Sequence, residues 1–278
     1  MTASGSLPST AELAARLRLA GCVFAEDEAA LLIEAVRGGG ADGGGAGAAR
    51  TERLERLVAR REAGEPLEQL LGWAEFDGIR LLLEPGAFVP RARTQLVARR
   101  AVRLARAVDP RPARVLDLCC GVGAIGAVVL RDVPDVELVA VDLDEAAVAA
   151  ARRNLEPIGA TVRRGDLFAA VPERFADGFD VIAVNAPYVP TGEIQHMPPE
   201  AREHEHRLAL DGGRDGLELH RRIAAEAPRR LRPGGALVIE CAERQAEASA
   251  AVFAAAGLAV VVLRDEELDA TAVLASTD

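Results

Sequence analysis

Apolar positions recur along the chain with two periods, and the change from one to the other divides it. In the first part the spacing is helical. Ser9-Thr10-Ala11-Glu12 has the form of a capping box, followed by apolar Leu13, Leu17 and Val23. A second helical stretch runs from about Ala25 to Val36, and a third from about Thr51 to Ala63 with Leu54, Leu57 and Val58 on one side. Between them, Gly38 to Gly47 is mostly glycine and is expected to be a flexible connection. No Lys-Ser/Thr follows it, so it is not expected to bind phosphate.

The period shortens after Phe76. Ile79 to Leu83 reads as a strand, Glu84-Pro85-Gly86 as a turn and Ala87-Phe88-Val89 as the returning strand of a hairpin. Thr94 to Val108 is expected to be a helix with Arg99, Arg100, Arg103 and Arg106 on a solvated face. Beyond Asp109-Pro110 strands and helices alternate. The clearest strands are Arg114–Leu118, Val136–Val141, Phe179–Val184 and Ala236–Glu240. Such alternation predicts an α/β fold, with a mostly parallel sheet covered on both faces. Leu258–Leu263 and Ala270–Ala275 have no helix between them and are expected to add an antiparallel pair at one edge. The expected division is a helical domain over 1–75, a hairpin linker over 76–94 and an α/β domain over 95–278.

Composition narrows the class. Half of the 278 residues are apolar and 27% are charged, which suits a globular chain able to bury a core. No apolar run approaches the roughly 18 residues that span a bilayer, and the N-terminus shows no basic-then-apolar leader, so a cytoplasmic protein with no membrane contact is expected. The net charge of −10 argues against general affinity for nucleic acid phosphates. Cys22, Cys119, Cys120 and Cys241 form no CxxC and no metal-ligand spacing, so reduced thiols and no metal are expected. His204 and His206 flank Glu205 without the further ligands that zinc needs, and His220 is expected on the surface.

The candidate chemistry lies where strands end. Val115-Leu116-Asp117-Leu118-Cys119-Cys120-Gly121-Val122-Gly123 is a strand running into a small-residue loop, and a helix follows. Glycines there let a ligand approach the backbone, and a helix N-terminus favours electronegative groups. The next strand ends in Asp142, placed to accept two ribose hydroxyls. Gly165-Asp166-Leu167-Phe168 follows a third short strand; Asp166 suits an exocyclic amine, and Leu167 or Phe168 an adenine face. Gly121, Gly123 and Gly126 match a dinucleotide fingerprint, but an acid just before the glycines is unusual for it. Asp117 fits better opposite the cationic end of S-adenosylmethionine, or else bonds loop amides itself. Finally, Phe179–Val184 ends in Asn185-Ala186-Pro187-Tyr188, an amide, a rigid turn and a ring at one strand terminus.

Taken in order, these motifs resemble a class I S-adenosylmethionine-dependent methyltransferase with a Rossmann-like sheet and a small N-terminal helical domain. More finely, they resemble the HemK-type protein-(glutamine-N5) methyltransferases, which modify peptide chain release factors. Pro66–Gly72 and Phe88-Val89-Pro90-Arg91-Ala92-Arg93-Thr94 are similar to that family's linker and its Pro-Arg-Pro-Glu-Thr segment. Leu208 to Leu217 is similar to its second signature. The resemblance implies S-adenosylmethionine as methyl donor, S-adenosylhomocysteine as product, and a protein glutamine, in a Gly-Gly-Gln motif, as acceptor. It implies cofactor contacts from Asp117, Cys119, Cys120, Gly121, Val122, Gly123, Asp142, Asp166, Leu167 and Asn185, and an acceptor site at Asn185, Ala186, Pro187 and Tyr188. The chain departs from the pattern at Cys119 (glycine), Ala186 (proline), Arg93 (glutamate) and His206 (proline), which marks a divergent branch. Three other readings stay open: an adenine-N6 or other amine methyltransferase, a non-catalytic cofactor-binding protein, and a nicotinamide dehydrogenase.

Overall fold

The computed structural model describes residues 7–37 and 46–277. The readings of the first six residues and of Gly38 to Gly45 concern segments outside these. The chain divides into two compact units, Met1–Gly72 with Pro199–His204, and Trp73–Pro198 with Glu205–Asp278. Among the described residues no helix is long and apolar enough to cross a membrane.

The smaller unit carries helices α1 (Thr10–Leu19), α2 (Ala25–Arg37), α3 (Ala46–Glu62) and α4 (Leu67–Leu71). The capping box forms: the Ser9 hydroxyl accepts from the Glu12 amide, and Glu12 accepts from the Ser9 amide at 2.8 Å. Helix α1 then stops short of Val23, because Gly21 takes a left-handed φ of 94° and terminates it. Val23 is therefore 82% exposed rather than on the buried face, and Phe24 beside it is 70% exposed. Helix α3 begins earlier than expected, so Gly47 lies inside it. Leu13, Leu17, Leu32, Leu54 and Val58 form this unit's core.

The larger unit opens with a hairpin of β1 (Trp73–Phe76) and β2 (Ile79–Leu82). The expected pairing was wrong. β2 pairs backward with β1, and Ala87 to Val89 is not a strand. Asp77 and Gly78, at φ 48° and 77°, make the two-residue turn whose twist suits a hairpin. After helix α5 (Gln95–Arg106) come β3 (Ala113–Leu118), α6 (Ala124–Asp132), β4 (Val136–Asp142), α7 (Glu145–Leu155), β5 (Thr161–Arg164) and β6 (Phe179–Val184). The short helix α8 (Pro199–His204), α9 (Glu218–Arg230), β7 (Leu231–Glu240), α10 (Ala246–Ala255), β8 (Ala259–Asp265) and β9 (Ala270–Ser276) complete the chain.

Seven strands lie in the order β5-β4-β3-β6-β7-β9-β8. Pairing is parallel from β5 to β7, and β9 is antiparallel to both β7 and β8. Side chains alternate across the sheet. Val115 packs toward α5, α6 and α7, whereas Leu116 and Leu118 pack toward α9 and α10. Each fully buried side chain of this size contributes about 1.5–3 kcal/mol. The chain winds outward from β3 through β4 to β5, then returns to place β6 on β3's other side. That reversal opens a crevice at the carboxyl ends of β3 and β6, where open α/β sheets bind ligands.

Candidate active site

On one side of the crevice, β3 delivers Asp117 and the loop turns beneath α6. Asp117 is fully buried. Its Oδ2 accepts from the Gly126 amide at 2.8 Å, while Oδ1 is buried without a partner. Gly126 permits this approach, since a Cβ there would stand 3.1 Å from Oδ2. Burial raises the Asp117 pKa to about 8; the Gly126 amide opposes the shift and Asp142 adds to it. The loop is left-handed at Cys119 (φ 57°), Gly121 (φ 55°) and Gly123 (φ 88°). That explains a glycine preference at the first position, where a residue with a Cβ costs about 1–2 kcal/mol. Burial, then Asp142 and Asp117, push both thiols of Cys119 and Cys120 well above their ordinary range, so both stay protonated.

Asp142 and Asp166 stand around the same loop. The Cys119 thiol senses both carboxylates, together with Arg222. Asp142 is held by two amides: Oδ2 accepts from Gly121 at 2.8 Å and Oδ1 from Asp144 at 2.9 Å. Burial raises its pKa, and those amides oppose the rise. Exposed Asp166 accepts from Arg222 Nη2 at 2.7 Å, a partner from α9 that no local motif announced. Leu167, next to it, is left-handed at φ 47°. Phe168 lies in the core, with the Arg230 guanidinium 5.4 Å from its ring centroid, so it is not a face for a ligand. Asn154 ties the loop to the hairpin, donating to Val122 O at 2.9 Å and exchanging bonds with the Leu82 backbone.

At the other side, β6 ends in Asn185. Its Nδ2 donates to Thr94 Oγ1 at 3.0 Å, which leaves Oδ1 without a partner among the described residues. The Ala186 carbonyl likewise accepts no hydrogen bond from a described backbone group. Tyr188 donates through its hydroxyl to Glu240 Oε1 at 3.0 Å. Burial and the Glu240 charge raise the Tyr188 pKa, so it is a hydrogen-bond donor and not a phenolate.

Residues Asp211 to Leu217 clamp this loop. Val189 N donates to Leu210 O at 3.0 Å, and Gly212 N to Val189 O at 2.8 Å. A Cβ on Gly212 would meet Tyr188 Cα at 2.7 Å, which is why glycine stands there. Gln245 Nε2 closes the clamp, donating at 3.0 Å to the carbonyls of both Tyr188 and Asp215. Nearby, Glu205 accepts from Arg91 Nη2 at 2.5 Å, and His206 Nδ1 lies 2.6 Å from Asp144 Oδ2. Glu205 and His206 thus face different partners. Among the described residues no three acidic, His or Cys side chains are grouped to hold a metal. His220 is fully buried, not at the surface, with Nδ1 2.8 Å from Ser249 Oγ. Burial lowers its pKa to about 4, so it is neutral. Buried Ile223 and Ala224, three and four residues further along the helix, carried that signal.

Residues 99–203 match the family described as the methyltransferase small domain. The chain is 42% identical over 194 residues to the release factor glutamine methyltransferase of Streptomyces coelicolor, which covers 69% of this chain and 68% of that protein. It is 37% identical over 208 residues to the 4-amino-L-phenylalanine/4-methylamino-L-phenylalanine methyltransferase of Streptomyces pristinaespiralis, covering 74% of this chain and 70% of that protein. Among solved structures, the T. thermophilus 16S rRNA N2 G1207 methyltransferase, in complex with AdoMet and guanosine, aligns with a TM-score of 0.53 at 22% identity, covering 74% of this chain and 50% of that one. The last likeness is one of fold.

Proposed function

The chain belongs to the family of release factor glutamine methyltransferases, and from that premise we propose that it methylates the side-chain amide nitrogen of a protein glutamine, in the Gly-Gly-Gln motif of a peptide chain release factor. S-adenosylmethionine is the methyl donor. It supplies a methyl group on a positively charged sulfur, which leaves as the neutral thioether of S-adenosylhomocysteine.

The donor set suits that cofactor. Asp117 holds a buried carboxylate oxygen with no partner, beside a loop whose backbone is open at Gly121. In our reading Asp117 faces the cationic end, Asp142 the ribose, and Asp166 with Leu167 the adenine. Cys119, Cys120, Gly121, Val122 and Gly123 line the loop, and Asn185 stands between cofactor and acceptor.

The observation that carries the reading is the Asn185 amide. Thr94 holds its nitrogen, so its oxygen and the Ala186 carbonyl are both free to accept. A glutamine NH2 presents two hydrogens and needs two acceptors. Its lone pair is delocalised into its own carbonyl, so the site must supply alignment rather than a strong base. Asn185 and Ala186 orient the nitrogen, Pro187 stiffens the turn, and Tyr188 packs on the flat amide. With the donor bound, the nitrogen lone pair held by Asn185 and Ala186 would take the methyl group, the C–S bond would give way to the new N–C bond, and one N–H proton would pass to water. The helical domain over 1–75 holds the protein substrate in this reading, and the exposed Leu19, Val23 and Phe24 give it an apolar surface for that. A release factor acts in the cytoplasm, and in this reading the enzyme works there too.

Asn185→Ala is expected to lower kcat by about 100-fold or more while S-adenosylmethionine still binds. Calorimetry and a methyl-transfer assay check the two halves, and unchanged turnover would sink the assignment. A second reading, methylation of the amine of a small aromatic amino acid, draws on the name of the relative from Streptomyces pristinaespiralis.

A further inference from the structure

The Asn185 amide has two chemically opposite ends. Turning it over would exchange a carbonyl for an NH2 at the same place, and an acceptor nitrogen that carries hydrogens needs the carbonyl. In the structure this choice is made at the far end of the side chain. Nδ2 donates to Thr94 Oγ1 at 3.0 Å. A hydroxyl that accepts there must direct its own hydrogen elsewhere. Thr94 is 4% exposed, so water is a poor outlet. A charged neighbour is Glu240, which ends β7 beside Asn185, since Val184 pairs with Ile239. This carboxylate is 2% exposed, and its Oε1 is taken by the Tyr188 hydroxyl at 3.0 Å. Its Oε2 is buried with no hydrogen bond formed. Thr94 nonetheless lies against it and is the first of the neighbours that favour its charged form, ahead of Tyr188, Arg93 and Arg91.

We propose that Thr94 and Glu240 are positioning residues for methyl transfer: ionised Glu240 draws the Thr94 hydrogen toward Oε2, the Thr94 oxygen accepts from Asn185, and the Asn185 carbonyl is left facing the acceptor. This rests on the reaction proposed above for Asn185. A hydrogen-bond chain of this kind has a direction, and the charge on Glu240 sets it. A protonated Glu240 is itself a donor. It gives its hydrogen to Thr94, Thr94 donates to Asn185, and the amide turns its NH2 toward the acceptor. Transfer is therefore supported above the Glu240 pKa and lost as pH falls through it.

The groups facing Glu240 are Tyr188 from the loop after β6, Arg91, Arg93 and Thr94 from the segment before α5, and Cys241 next in the chain. Burial is the largest influence and raises its pKa, so the acid limb lies above the ordinary glutamate value. The two arginines oppose burial. Arg93 is exposed and its guanidinium makes no hydrogen bond or ion pair with a described residue, yet its charge favours both ionised Glu240 and ionised Tyr188. The arginine at this position thus helps keep the chain pointed in the productive direction.

The test is steady-state methyl transfer from labelled S-adenosylmethionine to a release factor, across pH, with cofactor affinity measured by calorimetry. Thr94→Val keeps the shape and removes the hydroxyl. Its kcat is expected to fall about 100-fold, as for a misplaced acceptor, with cofactor affinity within about threefold of wild type. Thr94→Ser restores the hydroxyl and is expected to recover most of that loss. Arg93→Glu, a surface change, is expected to move the acid limb of kcat upward by about half a pH unit or more. Three results would overturn the proposal: full kcat in Thr94→Val, equal damage in Thr94→Ser, or an acid limb unmoved in Arg93→Glu. Each is judged against a wild type that transfers methyl normally. No transfer by wild type to any glutamine or amine overturns the reaction itself, and this proposal with it.

Discussion

Asp117 is the residue whose state depends most on what lies beside it. Its pKa is raised by burial to about 8, against an ordinary value of 3.8. A carboxyl that is neutral when folded and ionised when unfolded stabilises less as pH rises. Its contribution is therefore full below about pH 4 and is lost as pH climbs toward 8. A bound cation beside Oδ1 favours the ionised form, so binding S-adenosylmethionine near pH 7 is expected to release a proton. Calorimetry in buffers of different ionisation enthalpy measures that release, and Asp117→Asn should abolish it. Equal heats in all buffers for the wild type would contradict the placement of the cofactor's cationic end.

Cys119 sets two opposing effects against each other. Relieving a left-handed Cβ gains about 1–2 kcal/mol, while glycine adds chain entropy worth about 0.5–1 kcal/mol. Cys119→Gly is thus expected to stabilise the protein by up to about 1.5 kcal/mol, read by urea unfolding. The sequence showed Asp117, Asp142 and Asn185 because a polar side chain ending an apolar strand is a local signal. Thr94, Glu240 and Arg222 were not legible as site residues. Each meets its partner across 52 to 91 positions of chain, and nothing near them in sequence states that meeting.

At the scale of elements, the clamp of Asp211 to Leu217 does what no single side chain does: it fixes the backbone that carries Pro187 and Tyr188. Gly216 has φ 78°, and a Cβ there would stand 2.2 Å from both Tyr188 O and Gln245 Nε2. Gly216→Ala is therefore expected to cost about 2 kcal/mol or more and to lower kcat at least tenfold. Unchanged kcat in a stably folded variant would show that the clamp does not position the loop. The signature was visible in the sequence, but its purpose was not, because it acts through carbonyls and amides that every residue possesses. The hairpin teaches the converse. Asp77-Gly78 is a strong turn signal, and it, rather than Glu84-Pro85-Gly86, makes the hairpin turn.

For the whole molecule, the alternation of strand and helix beyond Asp109 disclosed the sheet, its parallel centre and its antiparallel edge. The strand order and the reversal at β3 and β6 came only with the structure, since they depend on which crossovers bury which faces. The separate core of the smaller unit suggests a division of labour. Deleting residues 1–72 is expected to leave cofactor affinity within about threefold while raising KM for a release factor at least tenfold. A KM unchanged by the deletion would remove the helical domain from substrate recognition.

The most direct test of the account is to give the purified protein labelled S-adenosylmethionine, a release factor and 4-amino-L-phenylalanine together, and to locate the label by peptide mass spectrometry. The account predicts one methyl group on the glutamine of the Gly-Gly-Gln peptide, absent when Asn185→Ala replaces wild type. Label on the small amine alone, or on any other residue of the release factor, would contradict it.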